Sequence, residues 1–237
     1  MNELSAAWML HSRPYKERSV IAEFLVKDHG RIAMVIRGVR QAKSRSCAVQ
    51  PFTRVYVSWR GRSELKTLNS FETAAAVHLK GKSLYCGFYL NELLMRSVLP
   101  GQHIEGLFDL YSVVLEQLAS DAPVQPLLRV FELELLEMTG YAPSFTCDGA
   151  TGAAIEQGCL YEFKAGVGFI PVLRPREKDQ PRYFSGELLL SLAERRFNDV
   201  RHFPGFKRLT RLALTPLLGE KPLKSRELFR TREKSVS

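Results

Sequence analysis

The chain has 237 residues, 45% of them apolar and 25% charged, values of an ordinary folded protein that exclude wholesale disorder. Compact domains usually hold about 100–150 residues, so two packed units, or one core with appendages, are expected. The net charge of +9 divides as +8 over residues 1–80, −5 over 81–142 and +6 over 143–237, which excludes a uniform surface and points to at least two partners of different charge.

The N-terminal region reads as strands, because its apolar residues alternate with a period of two. Segment 19–27 places Val20, Ala22, Phe24 and Val26 on one face, with Ser19, Glu23 and Lys27 on the other. After the turn Asp28-His29-Gly30, segment 31–37 sends Ile32, Met34 and Ile36 inward and Arg31 and Arg37 outward. Segment 52–60 sets Val55, Val57 and Trp59 against Phe52, Arg54, Tyr56, Ser58 and Arg60. With segments 6–12 and 64–70 these make five short strands, enough for a closed barrel. A five-stranded barrel of this length fits the OB-fold, whose exposed face and loops bind oligonucleotides.

From residue 82 the period becomes helical. Segment 83–99 is apolar nearly all round and is expected to be buried. Ile104, Leu107, Phe108, Tyr111, Leu115 and Leu118 form one amphipathic stripe. Leu128, Phe131, Leu135 and Met138 form a second, closed by Gly140 as C-cap. Residues 141–184 lose the period and read as a loop-rich insert with one weak hairpin, after which helix returns at 186–197 and 205–218. The expected class is therefore α+β and multidomain, with an OB barrel over 1–80 and a mainly helical domain over 81–237 that carries the insert.

Enzyme signatures are absent from the sequence. Gly81-Lys82-Ser83 resembles the end of a phosphate-binding loop, but Ala76 stands where that motif needs glycine. There is no HExxH, GxSxG or GxGxxG, and the five histidines are scattered. No catalytic residue is assigned, and no cofactor is expected. Cys47, Cys86, Cys147 and Cys159 form no CxxC pair and read as reduced thiols. No apolar run approaches the ~20 residues of a membrane span. Met1-Asn2-Glu3-Leu4 does not resemble a signal peptide, so a soluble cytoplasmic protein is expected.

The sharpest local feature is segment 37–50, where Arg37, Arg40, Lys43 and Arg45 occur without an acid. Cations on a loop can follow a phosphate backbone and release its counterions; a merely solvated loop is the alternative. Arg31, Arg54, Tyr56 and Arg60 extend the candidate DNA-binding set, with Phe52 and Tyr56 offering rings on which bases stack. Phe52 and Tyr56 could instead pack beneath the helical domain. Lys207, Arg208 and Arg211 on one side of a helix form a second basic patch, either for phosphates or as solvated helix charges.

Three stretches together resemble the RecO family of recombination mediators, in its proteobacterial form. The first runs from Leu10-His11-Ser12-Arg13-Pro14-Tyr15 through Gly30-Arg31 to Arg37-Gly38-Val39-Arg40. The second is Leu84-Tyr85 with Tyr89-Leu90-Asn91-Glu92-Leu93-Leu94, then Phe131-Glu132-Leu133 and Gly140-Tyr141. The third is Lys221-Pro222-Leu223-Lys224-Ser225-Arg226-Glu227-Leu228-Phe229. The resemblance implies an OB-fold followed by a helical domain, and binding to single- and double-stranded DNA. It also implies strand annealing, and help in loading RecA onto single strands coated by single-stranded-DNA-binding protein. Its implied partners are RecR and that coating protein, and its implied location is the nucleoid. An OB-type RNA-binding accessory factor and a nucleic-acid enzyme with a dispersed site are the competing expectations.

Some members of the family carry a four-cysteine zinc site in the insert. Here Cys147 and Cys159 supply only two thiols, so no zinc is expected, and packing of Leu160, Phe163, Phe169 and Ile170 should hold the insert instead. The resemblance also implies that the helical half receives the acidic C-terminal tail of the coating protein. Arg129 is the expected clamp for the tail carboxylate, with Leu128, Phe131 and Leu135 beside it. An intramolecular pair with Glu132, three positions along the helix, is the alternative.

Overall fold

The computed structural model describes residues 3–38, 50–120, 122–219 and 221–228. The chain divides into two compact units, Met1–Ala122 with Pro222–Ser237, and Pro123–Lys221.

The first unit opens with β1 (Ser5–Tyr15), β2 (Ser19–Val26), β3 (Gly30–Arg37), β4 (Thr53–Arg60) and β5 (Leu65–Ala76). They close into a barrel in the order β1-β2-β3-β5-β4, antiparallel except where β3 meets β5. The five-stranded OB-type barrel expected from the alternation is thus present. Ala22, Phe24, Val26, Ile32, Met34, Ile36, Val55 and Val57 fill the interior, with Val20 and Trp59 packed against them. Burying a side chain of this size contributes about 1.5–3 kcal/mol. A one-residue slip would turn Arg31 and Arg37 into that interior, so the register is strongly specified. The tight β2–β3 turn needs a positive φ at Asp28 and Gly30. A Cβ on Gly30 would also lie 1.8 Å from the carbonyl oxygen of Gln102.

Two helices follow the barrel in this unit, α1 (Gly81–Ser97) and α2 (Leu107–Ala119). Helix α1, expected to be buried as a whole, buries Leu90, Leu93 and Leu94, and α2 buries Leu107, Phe108, Tyr111, Leu115 and Leu118 of the expected stripe, while Ile104 precedes the helix and is half-buried. Both meet side chains and backbone on the outside of the barrel. Asn91 Nδ2 donates to the Leu10 carbonyl at 2.7 Å, and Asn91 Oδ1 accepts the Tyr111 hydroxyl. Trp8 donates its indole N–H to Ser112 Oγ at 2.7 Å and meets the Tyr111 ring edge-on. Burial pushes the Tyr111 hydroxyl pKa well above its ordinary value.

The second unit contains α3 (Val124–Met138), β6 (Leu160–Lys164), β7 (Gly168–Pro171), β8 (Tyr183–Ser185), α4 (Gly186–Ala193) and α5 (Phe203–Leu218). Helix α3 ends as expected at Gly140, whose φ is 76°. The expected hairpin is β6–β7, and β8 adds a third strand in the order β7-β6-β8. At three residues β8 is too short to declare a period. Helix α4 stops short of residue 197, with Arg195 at a φ of 55° just beyond it.

The insert has an aromatic core. Phe169 is fully buried, with Phe145, Phe163 and Phe184 at ring separations of 5.9, 5.5 and 6.3 Å. Leu160 and Ile170 are half-buried at its margin. Beside this core the Asp148 carboxylate accepts the amides of Ala150, Thr151 and Ala153 and the Thr151 hydroxyl. Cys147 and Cys159 are exposed, and among the described residues no three metal-ligating side chains come together.

Candidate nucleic-acid interface

The register of the barrel divides its chain turns between two ends. Tyr15 of β1 pairs with Ser19 of β2, and Ser19 pairs with Arg37 of β3, so the β1–β2 turn and the end of β3 share one end. Strand β4 runs antiparallel to β1 and to β5, which puts the β4–β5 turn at the other end with the β2–β3 turn, where His29 meets Trp59 at 5.1 Å. Lys16, Arg18 and Arg37 are exposed at the first end, and Arg60 and Arg62 at the second. The acids in these turns are Glu17 and Glu64. The Gly38 amide donates to the Arg18 carbonyl at 2.9 Å, fastening the end of β3 to the β1–β2 turn. Lys66 Nζ donates to the carbonyls of Gly61 and Arg62 and so closes the β4–β5 turn. Arg40, Lys43 and Arg45, the rest of the expected loop set, lie outside the described residues.

The other barrel candidates separate by what covers them. Tyr56 is 39% exposed on the outer wall, and Arg60 is exposed on the same strand. Phe52 is buried, precedes β4 at a φ of 65°, and packs on Phe88 of α1 at 5.3 Å. The packing alternative thus holds for Phe52 and not for Tyr56. Arg31 is occupied: its Nη1 donates to Glu23 at 2.8 Å and its Nε to the Val98 carbonyl at 2.9 Å. Arg54 is half-buried, with its guanidinium about 6 Å from the rings of Trp8 and Phe108. Both arginines point out of the barrel as the alternation requires, yet helices and loops of the same unit cover them.

In the second unit Arg208 and Arg211 are exposed on α5, and Lys207 is half-buried. The expected partner groove at Arg129 is not an open surface. Arg129 is 3% exposed, and its Nη2 donates to the fully buried Glu132 at 2.6 Å. Its Nη1 donates to Thr210 of α5 at 3.1 Å. Leu128, Phe131 and Leu135 are buried as well. The intramolecular alternative describes what is observed, because a guanidinium this enclosed needs a local anion.

Lys16, Arg18 and Arg62 were not among the sequence candidates. Each sits in a short turn between strands already identified, so the signal was available: a turn between barrel strands lies at the rim, where its cations are exposed. Charge counting along the sequence alone does not join turns that are far apart in the chain.

The comparisons with known proteins cover nearly the whole chain. The family description "Recombination protein O N terminal" matches residues 1–77, and "Recombination protein O C terminal" matches residues 78–227. A protein of Cellvibrio japonicus named DNA repair protein RecO is 42% identical over 230 residues, covering 96% of each chain. A protein of the same name from Pseudoalteromonas translucida is 41% identical, covering 94% of this chain and 95% of its own. One from Serratia proteamaculans is 40% identical, covering 97% and 94%. Among the described residues no helix is long and apolar enough to cross a membrane.

Proposed function

The chain belongs to the recombination protein O family, and from that premise we propose that it is a DNA-binding mediator of recombinational repair. In this reading it binds single- and double-stranded DNA through the cations on the turns of its barrel and anneals complementary strands. With RecR it helps load RecA onto strands coated by single-stranded-DNA-binding protein. The observation that carries the reading is a small closed barrel that exposes Lys16, Arg18 and Arg37 at one end and Arg60 and Arg62 at the other. Cations drawn from separate turns can contact successive phosphates without reading bases, so the binding is salt-sensitive and largely indifferent to sequence.

We infer a binding protein rather than an enzyme, supported by a sequence that holds none of the nucleophile, phosphate-loop or metallohydrolase motifs. DNA rather than RNA is favoured because the relatives are named for DNA repair. The test is binding of a labelled single-stranded oligonucleotide over a range of salt. The variant Lys16→Ala/Arg18→Ala/Arg60→Ala/Arg62→Ala should bind more weakly, and its log–log salt slope should flatten by about 1 for each phosphate that is no longer neutralised. Wild-type affinity and slope in that variant would refute the assignment to the barrel turns, and tighter binding of RNA than of DNA would favour the RNA-binding alternative.

A further inference from the structure

The second unit carries its own basic surface, organised around Tyr183. The amide of Arg176 donates to the Tyr183 hydroxyl at 2.9 Å, and Arg182 immediately precedes Tyr183 in the chain. Arg208 of α5 donates from Nη2 to the Tyr183 carbonyl at 2.8 Å and lies 4.7 Å from the centre of the Phe184 ring. These contacts tie the loop after β7, the turn before β8 and one face of α5 into a single surface. Arg174, Arg176, Arg182, Arg208 and Arg211 are all exposed on these elements. Residues 171–183 hold four cations against Glu177 and Asp179, while α5 adds Lys207, Arg208 and Arg211 with no acid. Leu173, beside Arg174, is 95% exposed and so takes no part in the packing of this unit.

Resting on the DNA-binding reading above, we propose that this surface holds a second nucleic-acid strand, so that one chain binds two strands at once, one on each unit. Guanidinium groups donate in a fork that fits phosphate oxygens, and Arg208 commits one of its several donors to Tyr183. The stack on Phe184 holds that guanidinium in place, reducing the freedom it gives up when it meets an anion. The cations run along loop, turn and helix instead of ringing an apolar groove. Such a row suits the repeated charge of a phosphate backbone better than the single terminal carboxylate of a peptide. An exposed leucine between such cations can contact a base or a sugar, as apolar side chains do in other nucleic-acid interfaces.

The test uses the full-length protein and two non-complementary oligonucleotides with different fluorophores. Energy transfer between them reports chains that hold both, and sedimentation confirms one protein per complex. The variant Arg174→Ala/Arg176→Ala/Arg182→Ala leaves Arg208 and its contacts in place. It should bind one oligonucleotide nearly as wild type does, yet lose about tenfold or more of the two-strand complex and anneal complementary strands more slowly. A triple Gln variant, which preserves side-chain length, should behave in the same way, and an unchanged melting temperature shows that both variants are folded. Two-strand complexes at wild-type levels in these variants would overturn the proposal while leaving the barrel assignment intact. So would a loss confined to binding of an acidic peptide, which would make the surface a protein dock. Failure of the wild type to bind even one oligonucleotide would instead refute the DNA-binding reading on which the proposal rests.

Discussion

The Glu92 carboxylate accepts both the amide and the hydroxyl of Ser225, at 2.8 and 2.6 Å, across 133 positions of sequence. Its other oxygen accepts the Lys224 amide at 2.9 Å. The carboxylate thus caps the helical turn that begins at Ser225, where free N–H groups and the helix dipole favour an anion. Leu223 is buried beside it, and Arg226 lies 5.9 Å from the Tyr89 ring. Glu92→Ala removes an acceptor shared by three donors, and the expected loss is about 1–3 kcal/mol. Urea denaturation measures that loss, and limited proteolysis should cut within residues 222–228 faster than in wild type. Unchanged stability together with unchanged protection would show that Glu92 does not hold the segment.

The same pairing marks where sequence reading stops. Both partners lie in stretches that carried the family resemblance, yet no periodicity or charge count joins Glu92 to Ser225. The barrel interior was legible because a closed sheet imposes strict alternation, and Ile32, Met34 and Ile36 obey it. The same alternation puts Arg54 outside the barrel but cannot say that a helix covers it there. Trp8, Leu10 and Leu25 gave the available hint, because each lies outside the interior cluster and is nonetheless buried. Apolar residues on the outer face of a barrel require a cover. That inference would have assigned Arg31 and Arg54 to packing and pointed to the turns.

The buried pair of Arg129 and Glu132 sets up an asymmetric response to mutation. Arg129→Leu should destabilise the second unit by about 3–5 kcal/mol, because it leaves Glu132 charged and enclosed without its guanidinium. Arg129→Leu/Glu132→Leu should recover much of that loss, since replacing both partners by apolar groups is often near neutral. Thermal or urea denaturation of the two variants is the measurement. Equal destabilisation in both would mean that Thr210 and the surrounding packing, and not the ion pair, govern this site.

Asp148 predicts a response of the insert to acid. The hydroxyl and amide of Thr151, followed by the amides of Ala150 and Ala153, hold its carboxyl below the ordinary value of 3.8. A depressed native pKa means that the unfolded state takes up the proton first as pH falls. The stabilisation is therefore present above about pH 4 and is lost as pH drops through the lowered native value. Amide exchange at Ala150, Thr151 and Ala153 should accelerate in that acidic window. Asp148→Ala should bring fast exchange to neutral pH and remove the dependence. Acid-insensitive protection of these amides in the wild type would show that the turn holds without the carboxylate.

Phe52 and Tyr56, two candidates of the same kind in the sequence, should now give opposite phenotypes. Phe52 is 4% exposed, packs on Phe88, and has its ring so close to Gly87 that a Cβ there would sit 2.8 Å from Phe52 Cε1. Truncating a buried phenylalanine costs about 3–5 kcal/mol, so Phe52→Ala should lower the melting temperature strongly. At temperatures where the variant remains folded, its DNA affinity should stay near wild type, because the ring faces the helix. Tyr56 is 39% exposed, so Tyr56→Ala should change stability by less than about 0.5 kcal/mol. If a base stacks on its ring, the same change should weaken single-strand binding by about 1–3 kcal/mol, with a smaller effect on duplex DNA, whose bases are already stacked. Melting curves and parallel titrations with single- and double-stranded oligonucleotides separate the two residues. An equal loss on both DNA forms would assign Tyr56 to the backbone path, and no loss on either would remove it from the interface.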